Sequence, residues 1–134
     1  MYKSKNHAKY SLKVHLVFST KYRRNIFCNK EITTQLKKKI IDVSKKSNFK
    51  VEKMEVDKNH IHLLIDYEPC ISVVQIVRKL KQETQNDLWF KFKKELNEIY
   101  WEDKHLFWSK GYFACSIGEA ASYETIKKYI EEQG

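Results

Sequence analysis

The chain has 134 residues with 42% hydrophobic side chains, enough for one domain spanning 1–134 with a core that needs no disulfide or structural metal. Its net charge of +9 is uneven: residues 1–60 hold 16 basic and 5 acidic side chains, residues 61–134 hold 10 and 12. Such polarity points to a polyanion, nucleic acid before an anionic membrane surface, and no apolar run approaches the ~20 residues that span a bilayer.

The N-terminus, Met1 to Tyr10, is polar and basic without an apolar stretch, so no secretory signal is expected. Leu12, Val14, Leu16 and Phe18 then alternate with Lys13, His15, Val17 and Ser19, and period two predicts a strand. Thr20 to Arg24 (TKYRR) is a basic turn. Ile32, Leu36, Ile40 and Val43 form one face of a helix, with Lys37, Lys38, Lys39, Lys45 and Lys46 on the other and Asn29 as its N-cap. A second strand covers Lys50 to Val56, a turn Asp57-Lys58-Asn59, and a third strand His60 to Asp66.

Pro69 breaks the chain, and Ser72 with Gln75 makes a capping box for a helix running to about Phe90. Residues 91–110 suggest a short helix and a loop. A fourth strand covers Tyr112 to Ile117, and Ser122 caps a last helix ending near Gln133. The order β-α-β-β-α-β-α predicts an α+β fold. Its first six elements are a ferredoxin-like split βαβ with an antiparallel sheet, and the seventh is a C-terminal helix. The three cysteines, Cys28, Cys70 and Cys115, make neither a CxxC pair nor a disulfide framework. Each reads as a small buried hydrophobe, and a reducing cytoplasm suits them.

His60 and His62 share one face of their strand, while Ile61, Leu63 and Ile65 take the other and pack on the helices. Two imidazoles so placed can bind a divalent metal but supply only two ligands. Two exposed strand histidines also arise without function. On the last helix Tyr129 and Gln133 lie one turn apart on one stripe, beside Ile126 and Ile130, which dock it. Packing is the plain reading of Tyr129. A nucleophilic role requires help, since a phenol titrates near 10. The Gln133 amide oxygen suits a hard ion such as Mg²⁺ or Mn²⁺. His15 lies in the first strand, where it could approach the site, and a structural role is its plainer reading. Lys21, Tyr22, Arg23 and Arg24 combine phosphate contacts with a stacking ring, and Arg78, Lys79 and Lys81 add further positive charge.

These residues resemble the single-tyrosine HUH transposases of small prokaryotic insertion sequences. The likeness spans nearly the whole chain: HLVFSTKYRR at 15–24, HIHLLI at 60–65, VVQIVRKLK at 73–81, then FWSKGYFACSIG and ETIKKYIEEQ up to residue 133. The resemblance implies a dimeric, metal-dependent enzyme that cleaves and rejoins single-stranded DNA at hairpin-bearing ends. It makes Tyr129 the nucleophile of a 5′-phosphotyrosine intermediate and Gln133 the third metal ligand beside His60 and His62. In such enzymes the tyrosine helix of one subunit can complete the metal site of the other. One departure concerns Asn59, where many relatives carry aspartate before the first histidine; it leaves the support of the imidazoles open. Three other readings fit less of the chain: a domesticated relative processing chromosomal palindromic repeats, a non-catalytic single-stranded nucleic-acid-binding module, and a hydrolytic nuclease.

Overall fold

A computed structural model describes residues 3–5, 8–10, 12–101 and 104–117. Two short strands, β1 (Lys3–Lys5) and β2 (Ala8–Tyr10), pair antiparallel with Lys3 opposite Tyr10. They have no apolar alternation, and the sequence gives no sign of them. Next come β3 (Lys13–Ser19), α1 (Lys30–Lys45), β4 (Phe49–Asp57), β5 (His60–Tyr67), α2 (Val73–Lys91), α3 (Lys93–Ile99) and β6 (Phe113–Ser116). The last four strands form one sheet in the order β4-β5-β3-β6, every neighbour antiparallel. With α1 and α2 this is the expected split βαβ. The helix expected from Ser122 to near Gln133 lies outside the described residues.

The helices begin as their sequences dictate. Asn29 accepts from the backbone N–H groups of Glu31 and Ile32. Ser72 and Gln75 close a reciprocal capping box, at 2.8 and 3.1 Å. One face of the sheet carries Val14, Leu16 and Phe18 against Ile61, Leu63 and Ile65, in register and buried beneath Ile32, Leu36 and Ile40 of α1 and Ile76 and Leu80 of α2. Burying each such side chain is worth about 1.5–3 kcal/mol.

β4 contains a bulge: Val51 pairs with Ile65, but Lys53 pairs with Leu64, which leaves Glu52 extra. The sequence records this as a change of parity. Phe49 and Val51 are odd-numbered, Met54 and Val56 even-numbered, and all four pack on the core. Three side-chain donors stitch down the described residues 100, 101 and 104–112 between α3 and β6. Trp89 Nε1 donates to Leu106 O at 2.8 Å, Trp108 Nε1 to Thr84 Oγ1 at 2.9 Å, and Tyr100 Oη to Lys21 O at 2.9 Å. The expectation of buried cysteines fails. Cys28 and Cys70 are exposed and Cys115 is half-buried, because the first ends a short 3-10 helix (Ile26–Cys28), a turn holds the second and the open side of the sheet the third. No helix among the described residues is long and apolar enough to cross a membrane.

Candidate functional site

Register places His60 and His62 on the sheet face opposite the helices. Ser19 and Asp57 flank His60, and Val17 and Glu55 flank His62. Both imidazoles are half-buried. His15 shares this face one diagonal step away, and its Nδ1 lies 2.9 Å from His62 Nε2. One of these two nitrogens donates and the other accepts. The strand position of His15 carries no local signal for this contact, which exists only across strands.

Asn59 settles the state of His60. Its Oδ1 lies 3.1 Å from His60 Nδ1, while its Nδ2 faces the Arg23 carbonyl at 3.5 Å. An amide oxygen only accepts, so His60 Nδ1 carries the proton and Nε2 keeps a free lone pair. The amide thus does what an aspartate carboxylate would do at this position. Burial lowers the affinity of His60 for a second proton below the usual histidine range, against the pull of Asp57 and with the push of Arg23. Burial does the same to His62, helped by His15 and Lys53 and opposed by Glu55. Both rings are therefore held neutral, the form that binds metal.

The basic turn adjoins this face. Thr20 N donates to Asn59 O at 2.9 Å, and Thr20 Oγ1 donates to Arg24 O at 2.7 Å. Tyr22 and Arg23 both adopt positive φ, 59° and 52°. Two consecutive non-glycine residues there cost roughly 1–2 kcal/mol each, and the surrounding hydrogen bonds hold them. Lys21 Nζ and Arg24 Cζ lie 5.3 and 5.9 Å from the Tyr22 ring centre.

The other predicted cations do not join this group. Arg78 and Lys79 are exposed on α2, in the helical layer that covers the opposite face. Lys81 Nζ is engaged within the fold, where it donates to the carbonyls of Ser109, Lys110 and Gly111 at 2.9, 3.3 and 2.9 Å. Burial lowers its pKa to about 8. In this structure Lys81 braces the loop ahead of β6. Tyr129 and Gln133 lie outside the described residues.

The donor set fits a divalent metal in part. Two neutral imidazoles, one with a fixed tautomer, are suitable ligands. Among the described residues, however, no three His, Cys, Asp or Glu side chains cluster to hold an ion by themselves.

A ferredoxin-like sheet with an H-x-H strand beside a basic turn describes a protein built to process a polyanion. Comparison makes the class definite. The family model "Transposase IS200 like" matches residues 8–133, so the chain belongs to the IS200-like transposase family. It is 28% identical to the ISDra2 transposase TnpA of Deinococcus radiodurans over 92% of this chain and 85% of that protein. It is 27% identical to the transposase for insertion sequence element IS200 of Salmonella typhimurium, over 98% and 82%. A crystal structure of a Deinococcus radiodurans transposase superposes with a TM-score of 0.84 at 26% identity, covering 99% of this chain and 98% of that one. The fold is also that of a tyrosine transposase solved with a REP hairpin, at TM-score 0.55 and 11% identity, over 95% and 68%.

Proposed function

We propose that this transposase cleaves and rejoins single-stranded DNA at hairpin-bearing ends, with Tyr129 as nucleophile and a homodimer as the working unit. The observation that carries the reading is the bridge made by Asn59, which joins the imidazole of His60 to the backbone of the basic turn. It supports the reading by tying a cationic turn to the two imidazoles of the sheet. In this reading His60, His62 and Gln133 hold Mg²⁺ or Mn²⁺. Such an ion supplies charge neutralisation at the scissile phosphate.

The residues of the chain then divide the work. Lys21, Arg23 and Arg24 hold the strand through its phosphates, Tyr22 stacks on a base, and Arg78, Lys79 and Lys81 offer separate positive charge on α2. The Tyr129 phenol loses its proton and its oxygen bonds to phosphorus. The bond from phosphorus to the 3′ oxygen breaks, and that oxygen gains a proton. A 5′-phosphotyrosine and a free 3′-hydroxyl result. Attack by a different 3′-hydroxyl reverses the step and releases the tyrosine, so the bond energy is conserved and no ATP is consumed.

The test is incubation of the full chain with a single-stranded end oligonucleotide and Mg²⁺, followed by denaturing electrophoresis. The wild type forms a covalent adduct, and Tyr129→Phe forms none. An adduct that persists in Tyr129→Phe removes Tyr129 from the role. Binding without any adduct in the wild type favours a non-catalytic module.

A further inference from the structure

Between the basic turn and the end of α3 lies a cavity of about 540 Å³, lined by Tyr22, Arg24, Asn25, Glu98, Tyr100 and Trp101 among others. That size falls within the range of small-ligand sites. Its rim holds the exception among the tryptophans. Trp89 and Trp108 are 2% and 7% exposed, while Trp101 is 89% exposed. An exposed indole is usually expensive to keep in water, and this one is fixed in place. Trp101 Nε1 donates to Glu98 O at 2.9 Å, which satisfies its polar atom and leaves the ring faces free.

The second exposed ring is Tyr22, 56% exposed and fixed by the left-handed turn. Between them Tyr100 forms a rigid floor. Its hydroxyl donates to Lys21 O and contacts Phe107 O, which ties α3 to the turn. Burial pushes this phenol well above its usual range, so it stays protonated as a donor. Two cations, Lys21 and Arg24, stand against Tyr22. Exposed aromatic faces, amide and carboxylate groups at the edge, and cations for flanking phosphates are the components of a single-stranded nucleic-acid site.

We propose that this cavity receives one unpaired nucleobase of the DNA strand, with Trp101 as its stacking platform. The proposal rests on the DNA reading above and adds to it a site supplied by the end of α3 and not only by the basic turn. Base–aromatic stacking tolerates any base, so the pocket serves to grip the strand and is not expected to read its sequence.

The test compares a single-stranded oligonucleotide with an abasic strand of the same length and charge, bound by the full chain. Phosphate contacts are equal in the two, so the difference reports stacking. The wild type binds the base-bearing strand more tightly, and its tryptophan fluorescence is quenched on binding. Trp101→Ala binds the base-bearing strand about tenfold more weakly. It binds the abasic strand as the wild type does and loses the quench. Trp101→Phe restores most of the preference. Equal behaviour of wild type and Trp101→Ala on both strands overturns the proposal. So does a change in oligomeric state caused by Trp101→Ala, which assigns the ring to a contact with a second copy. A wild type that binds neither strand refutes the DNA reading itself.

Discussion

Asn59 is the residue whose role the sequence left open, because many relatives have an acid there and an amide has no charge to offer. The Asn59 amide accepts from His60 Nδ1 and donates to Arg23 O, and a carboxylate would keep the first of these contacts, the one that orients the imidazole. Asn59→Ala is expected to weaken Mn²⁺ binding about tenfold by titration calorimetry, and Asn59→Asp to preserve it. The histidines also set a pH dependence. His15, His60 and His62 all bind protons less readily when folded than their ordinary 6.5. The unfolded chain therefore takes up more protons as pH falls through 6.5. Stability is fully present above that value and declines toward the lower folded pKa values. The metal-free protein should melt at a lower temperature at pH 5.5 than at pH 7.5, and His62→Gln should show a smaller drop.

At the scale of elements, the strands and helices that bury an apolar stripe were legible, since periodicity reports burial directly. That covers β3, α1, β5 and α2 with their caps. Asn29→Ala should cost about 1 kcal/mol in denaturant unfolding, because two N–H groups lose their acceptor. The β1–β2 pair was not legible, because its three-residue strands are polar in composition and carry no apolar alternation. The basic turn was legible as charge, but its left-handed pair was not, since neither Tyr22 nor Arg23 favours positive φ. Lys21 and Lys81 look alike in sequence, yet Lys21 holds its ammonium against the exposed Tyr22 ring while Lys81 turns its own into the fold. Lys21→Ala and Arg24→Ala together should reduce the salt slope of DNA binding by about 2, one for each phosphate no longer neutralised.

The whole molecule converts an uneven charge into a directed one. The excess of +11 belongs to residues 1–60, and the fold brings one of its dense stretches, residues 21–24, to the edge of the histidine face. The opposite face is fully occupied by the core, so truncating Leu63 to Ala should destabilise the protein by about 2–5 kcal/mol in denaturant unfolding without altering the imidazoles themselves. Sequence spacing identified His60 and His62 because i and i+2 is a local relation. It left the His15 contact open and did not reach the Asn59 bridge, because each depends on a neighbour from another part of the chain.

The extra residue in β4 has a consequence for the chemistry. Glu52 acts as a phase shifter: upstream of it the odd-numbered residues face the core, and downstream the even-numbered ones do. Without that shift Met54 and Val56 would stand across from the imidazoles, and Glu55 and Asp57 would point at the helices. By absorbing the extra position, the bulge leaves the histidines a carboxylate-lined neighbour strand in place of an oily one, while the core stays apolar along the whole length of β4.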